Sequence, residues 1–421
     1  MSNRTSTPDD QLALHGGAPA VRHRLPPMYP GGMRIGREEE AAVLDVLRSR
    51  RLFRYYGPEE GPSRVARLEQ VFAERMGTSH AVAVASGTIA LCAALAALGV
   101  GPGDEVIVPA YTWIATAAAV TAVGAVPIVA EVDESLTLDP RDVEAKVTAR
   151  TRAIIPVHMR GAAADMDSMQ AVAGRHGLAL LEDTAQALGG SYHGRRLGTI
   201  GRMGAFSLQF NKILTAGEGG MVVTGDQTLH ERALMYHDVA ASQRSNLDAK
   251  DTFVGITGRM SELQGAVALV QLDRLDGILA SMRRRKTAIK GAVADLAQAK
   301  EVEFRRLNDE DGDTGLALIF YTPNAGQARH VASVLDAEGA EAHVMFDRGR
   351  SDYHVAYHWT PIMEGRSWAR SPVSRGRYDR EMWPRTLDLL GRAVHLNVSP
   401  ELTDQNVEEV VGALRKTLRT L

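Results

Sequence analysis

Cysteine is almost missing from the 421-residue chain, and Cys92 stands alone. It can close no intramolecular disulfide, and no CxxC pair is present to hold zinc or an iron–sulfur cluster, so a reducing, cytoplasmic setting is expected. Lysine is scarce too, with 7 residues against 41 arginines. Neither sign of charge is in excess: 48 basic and 51 acidic residues give a formal net charge of −3. Such a balance creates no long-range positive field to draw nucleic acid. No run of eighteen apolar residues lacks a charge or a Gly/Pro break, which argues against a membrane span. The polar start MSNRTSTPDDQ lacks the basic and apolar regions of a secretory signal and reads as a loose tail over residues 1–12. The phosphate-binding run GxxxxGK[ST] is absent, and GVGPGD (99–104) lacks the third glycine of GxGxxG and precedes a strand, so it reads as a turn.

What is present is an alternation of short apolar runs and helical patterns. Two amphipathic helices, 38–52 and 63–77, lead in. Strand patterns at 81–86, 105–110, 153–158 and 178–183 then alternate with helical ones such as IALCAALAALG and MDSMQAVAGRHG. Continuous apolar strands separated by helices predict an α/β domain with a mostly parallel sheet covered on both faces. Residues 262–298 read as one long helical stretch with a joint at Asp276-Gly277, near which a second domain begins. The expected division is a tail over 1–12, a large domain over 13–275 and a smaller C-terminal α/β domain over 276–421.

Three segments carry chemistry. In AVAVASGTIAL a buried strand runs through Ser86, Gly87 and Thr88 into a helix. Free amides, the helix dipole and two hydroxyls there suit a phosphate, while a plain Ser/Thr helix cap explains the same residues. LLEDTAQALGG ends a strand on Glu182-Asp183, with Gln186 beyond, at the sheet edge where open α/β folds bind ligands; a solvated turn acid is the plainer reading. In GAFSLQFNKILTAGEGG, Lys212 lies between a strand and a Gly-rich loop. Arginine cannot give up its proton, whereas a lysine of lowered pKa can act as a nucleophile and form a Schiff base. A phosphate cradle, a strand-end Asp and a Lys together make the set that holds pyridoxal 5′-phosphate (PLP): an anchor, a charge to keep the pyridine nitrogen protonated, and an amine for the aldehyde.

With these segments in view, the sequence resembles the DegT/DnrJ/StrS aminotransferases, fold-type I PLP enzymes that aminate keto-sugars, keto-cyclitols and related ketones. The likeness runs from about Gly31 to the C-terminus and rests on SGTIAL, GDEVIVPAYTWIAT, PVHMRG, EDTAQALGG, GRRLGTIGRMGAFSLQFNKILTAGEGG and GRMSELQGA. It implies a large domain with a mostly parallel seven-stranded sheet and a homodimer. It also implies that Gly87 and Thr88 with Ser207 bind the phosphate, that Trp113 stacks on the pyridine ring, that Asp183 pairs with its nitrogen, and that Gln186 lies near its hydroxyl. Lys212 is then both Schiff-base lysine and proton shuttle, with pyridoxamine 5′-phosphate as the intermediate form. Ser86, Gln209 and Thr257 complete the expected cofactor set, and SLQFNK tilts the likeness toward the keto-cyclitol and aminohydroxybenzoate branches.

The family's GxNYRM reads GITGRM here, so Thr257 stands where an Asn would reach a neighbouring subunit's phosphate. Arg259 is a candidate for a donor carboxylate, with an ion pair to Glu262 as the alternative, and His158 is a second substrate-side candidate. His354 and His358, four apart, lack a third ligand in HExxH fashion, and no metal is expected. Tyr353, Tyr357, Trp359 and Trp368 are candidates to line the substrate pocket. The expected function is amino transfer from glutamate or glutamine to a keto-cyclitol or keto-sugar. An aminohydroxybenzoate synthase-like dehydratase, a PLP-fold regulator and a nicotinamide dehydrogenase are the rivals; the third is weakened by the missing fingerprint, and the second by the lack of a basic helix-turn-helix ahead of the domain.

Overall fold

A computed structural model of the chain describes residues 11–57, 63–245, 247–248, 250, 252–366 and 378–421. Strands β1 (His80–Val84), β2 (Glu105–Pro109), β3 (Val126–Ala130), β4 (Thr151–Ile154) and β5 (Ala179–Asp183) are laid down in turn, with helices between them. A two-residue hairpin follows, β6 (Ser191–Tyr192) and β7 (Arg195–Arg196), and then β8 (Met203–Ser207) and β9 (Gly220–Thr224). They form a seven-stranded sheet in the order β1-β9-β8-β5-β4-β2-β3, in which β9 alone runs antiparallel to its neighbours. Nearly every residue of β1, β2, β8 and β9 is buried, as expected of strands covered on both faces.

A second, four-stranded sheet is antiparallel throughout. Its strands are β10 (Glu303–Phe304), β11 (Ala317–Tyr321), β12 (His343–Val344) and β13 (Ala393–Asn397), in the order β10-β11-β13-β12. One apolar cluster runs from β1 and the helix Gly87–Ala97 into Ile319, Met345, Val355 and Trp359 of the C-terminal body, so the two sheets share a dry seam.

Two expectations are corrected here. The helix Glu262–Ala299 continues through Gly277 for 38 residues, about 57 Å, so there is no joint at Asp276-Gly277. Its first half packs Leu272, Leu275 and Leu279 against the large sheet's core, and its second half packs Ile289, Val293 and Ala297 against the small one. Apolar residues on both halves keep the helix in register across the two bodies, and a Gly with no neighbour pressing on it does not break it. The start of the chain also lies with the other body. Val21 is buried in the small sheet's core, and Ala13 and Ala20 donate their amides to the Glu338 carboxylate at 2.8 Å each. Residues 1–10 of the expected tail lie outside the described residues.

Candidate active site

The C-terminal ends of β1, β5 and β8 converge on one cavity of about 310 Å³. Ser86 extends β1 and caps the helix Gly87–Ala97, its Oγ accepting the Ile89 amide at 3.2 Å. The cap and the cradle expected from the sequence therefore coexist: Ser86, Gly87 and Thr88 all line the cavity, and the first amides of a helix have no intrahelical partner. Gly87 is required by close approach, since a Cβ there would meet Ser207 Cβ at 2.7 Å. Ser207, the last residue of β8, brings a third hydroxyl to the same wall. Three hydroxyls and two free amides at a helix N-terminus are a donor set fit for a phosphate.

Asp183 closes β5 and is almost completely buried. Its Oδ1 accepts the Ala185 amide at 3.1 Å and its Oδ2 the Thr116 hydroxyl at 2.9 Å; Thr116 is in turn 2.8 Å from the Thr112 hydroxyl. Burial pushes the Asp183 carboxyl above its usual range, although these bonds and the Lys212 charge pull the other way. A buried carboxyl left in that condition suits a cationic partner, and a protonated pyridine nitrogen is one. Lys212 sits across the cavity in the loop between β8 and β9, its amide donating to the Gln209 carbonyl at 2.9 Å. Desolvation lowers its pKa, with the Asp183 charge opposing and the Arg160 charge adding, which favours the free amine needed for chemistry. The donors, the buried acid and the softened lysine fit PLP.

Trp113, 45% exposed, offers its ring to the cavity, and Gln186, Gln209 and Asn211 complete the wall. Thr257 is exposed and lies off this cavity. Two substrate candidates are misplaced by the sequence reading. His158 is buried and does not line the cavity: its Nδ1 accepts the Ala164 amide at 3.1 Å and its Nε2 lies 2.9 Å from Glu182. Arg259 pairs with Asp238 at 2.6 Å and lies over the Phe53 ring. It does not pair with Glu262, whose carboxylate instead takes the Ser63 hydroxyl and the Arg64 amide at 2.5 Å each. Gly258 packs against Ile89, where a Cβ would come within 2.7 Å, so the missing aromatic of GITGRM is matched by a bulky neighbour.

His354 and His358 part company. The first lines the cavity, 5.0 Å centroid to centroid from Trp113; the second is buried between Phe346 and Tyr357. Trp359 is core, donating its indole N–H to the Tyr353 carbonyl at 2.8 Å, and Trp368 lies outside the described residues. Thr112 and Thr116 also line the cavity, with no signal in the sequence that marks them for it, while His354 takes a place facing it. The first two lie within YTWIAT, whose conjunction with Asp183 only the fold reveals.

The model of the DegT/DnrJ/EryC1/StrS aminotransferase family matches residues 33–415. The chain belongs to that family. Within it, the chain is 41% identical over 294 residues to an L-glutamine:2-deoxy-scyllo-inosose aminotransferase of Streptoalloteichus tenebrarius, 68% of each chain. A dTDP-3-amino-3,4,6-trideoxy-alpha-D-glucose transaminase of Streptomyces venezuelae is 36% identical over 382 residues, 90% of this chain and 92% of that one. Among solved structures, a 3-amino-5-hydroxybenzoic acid (AHBA) synthase superposes with a TM-score of 0.79 at 28% identity, covering 96% of this chain and 100% of its own. The fold is fold type I, as the resemblance implied. Among the described residues, no helix is long and apolar enough to cross a membrane.

Proposed function

We propose that this chain is a PLP-dependent aminotransferase that moves the amino group of glutamine or glutamate onto the ketone of a polyhydroxylated ring, a keto-cyclitol or keto-sugar of specialised metabolism. The observation that carries the reading is the convergence of Lys212, Asp183 and the Ser86–Thr88 helix start on one cavity. The cyclitol and sugar relatives support this acceptor class. PLP, when bound, supplies an electron sink. Ser86, Gly87, Thr88 and Ser207 would hold its phosphate, Trp113 would support its ring, and Asp183 would keep the pyridine nitrogen protonated. Lys212 would hold its aldehyde. As a free amine, Lys212 would move a proton between the donor's α-carbon and the cofactor's C4′, and would carry it the opposite way for the ketone.

We further propose a homodimer, with Thr257 and its neighbours Val254 and Ile256, which are 93% and 41% exposed, at the subunit contact. Light scattering of the active protein tests this, and a fully active monomer excludes it. The reaction is tested in two halves. Glutamine or glutamate should bleach the yellow cofactor band, and a keto-cyclitol or nucleotide-linked keto-sugar should restore it. Restoration by simple 2-keto acids alone would defeat the acceptor assignment.

A further inference from the structure

A second cavity, of about 270 Å³, opens beside the first, and His354 lines both. Its walls carry Arg160, Arg350 and His343 as well as Asp352 and Asp347. Arg160 occupies the left-handed region, φ 53°, immediately before Gly161 at φ 82°. This turn sets its amide on Gln186 Oε1, at 3.3 Å, and its Nε on the Tyr111 hydroxyl, also at 3.3 Å. No described carboxylate makes an ion pair with the Arg160 guanidinium within 4 Å, although the Asp352 charge acts on it from the same cavity wall. Asp352 is taken by His354, whose Nδ1 is 2.8 Å from its Oδ1, and Asp347 accepts the Gly349 amide at 2.7 Å. Behind His343, with ring centroids 4.7 Å apart, His395 is 1% exposed and neither ring nitrogen has a partner. A guanidinium in direct contact with no carboxylate, with Arg350 and His343 on the same wall and the nearer acid, Asp352, hydrogen-bonded to His354, keeps its planar donor edge available to an anion from outside.

From this geometry we infer that Arg160, with Arg350 at the mouth, binds the α-carboxylate of the amino-acid donor and sets its α-carbon toward Lys212. The inference rests on the aminotransferase reading for the identity of the anion. It replaces Arg259, which the fold commits to Asp238, with a residue that borders the Lys212 cavity through Gln186 and His354. Planar, bidentate recognition of a carboxylate is what a guanidinium does and an ammonium does less well.

The test uses the holoenzyme and an unreactive probe, glutaramate, which is glutamine without its amino group, beside glutaramide, which lacks the carboxylate. By calorimetry, the wild type should bind glutaramate and not glutaramide. Arg160→Leu should weaken glutaramate roughly 30- to 100-fold, the loss expected of a charged hydrogen-bonded pair. Arg160→Lys should recover part of it, and the same order should hold for the glutamine concentration that half-bleaches the cofactor band, with the limiting rate little changed. If Arg160→Leu fails to fold, as judged by circular dichroism, the milder Arg160→Lys and the exposed Arg350→Leu decide the matter by weakening glutaramate or not. Wild-type affinity for glutaramate in folded Arg160 variants overturns the subsite while the transamination reading stands. Arg160-dependent glutaramate binding without any bleaching by amino acids keeps the subsite and removes that reading. Inorganic phosphate displacing glutaramate at equal concentration would assign the cavity to a phosphorylated compound and overturn the inference.

Discussion

Glu182 and Asp183 are consecutive carboxylates at the end of one strand, both buried, yet their surroundings differ completely. On one face of β5, Glu182 receives the amides of Gly198, Ile200 and Gly201 at 2.6–2.7 Å and faces His158 at 2.9 Å. Since the Ala164 amide occupies His158 Nδ1, the ring proton lies on Nε2 and is donated to Glu182. This is a closed structural knot. On the other face, Asp183 has one amide and one hydroxyl and looks into a cavity, with its neutral form favoured by burial. A fully satisfied buried acid holds the fold; a half-satisfied one waits for a partner. Strand alternation produces both from adjacent letters.

The comparison can be broken most severely from across the cavity. Lys212→Ala should abolish borohydride fixation of the cofactor and lower turnover by at least roughly 10^4-fold, leaving the melting temperature of the cofactor-free protein near wild type. Covalent cofactor on that variant would remove Lys212 from its role. Asp183→Asn should cost roughly 10^2- to 10^3-fold in turnover, the scale of a lost electrostatic contact to developing charge. Its effect on stability has the reverse sign. A carboxyl whose folded pKa lies above its unfolded value favours folding while protonated and loses that share as pH rises through the folded value. Cofactor-free Asp183→Asn should therefore melt above the cofactor-free wild type at neutral pH, with the gap closing on acidification. A lower melting temperature at neutral pH would contradict the direction assigned to Asp183.

Glu182 sharpens the contrast, because its loss should fall on stability instead. Glu182→Ala strands three amides and the His158 N–H and should cost about 3–5 kcal/mol in chemical denaturation, while kcat of the folded fraction stays within a few-fold. A thousandfold loss of kcat at unchanged stability would erase the distinction between the two acids. The smallest effect belongs to the cradle: Gly87→Ala forces a Cβ toward Ser207 and should weaken cofactor affinity roughly tenfold, the scale of a 1–3 kcal/mol overpacking strain. Equilibrium dialysis of the cofactor would read it.

Much of this site was legible in one dimension because its parts sit where a strand meets a loop or helix: Ser86 to Thr88 after β1, Asp183 at the end of β5, Lys212 after β8. Lysine scarcity helped, though Lys286, tied to Asp313 at 2.6 Å, shows that scarcity alone does not mark function. What stayed hidden depends on distant segments meeting. Thr116 reaches Asp183 across 67 residues, and the Arg259 and His158 partners lie on other elements. Arg160 lies inside PVHMRG, but the cavity it lines is completed by residues 343–354, far along the chain. The unbroken helix through Gly277 has the same origin, since packing at both ends overrides a local breaker.

Glu338 joins residues 13–20 to the helix Asp404–Leu418. It is fully buried and gathers the amides of Ala13 and Ala20 and the ammonium of Lys416 at 2.8–3.0 Å, while Lys416 also donates to the Ala18 carbonyl at 3.0 Å. During synthesis, the opening segment leaves the ribosome some four hundred residues before the helix Asp404–Leu418 that helps to seat it. All strands of the large sheet are made before that helix, whereas Glu338, in the body that presents His354 and Arg350, gathers all three partners only when residues 13–20 and the helix meet. A nascent chain that has not yet made this helix already holds every residue lining the Lys212 cavity, while Glu338 still lacks the Lys416 ammonium, so the seating of residues 13–20 is completed after the cavity's own segments exist.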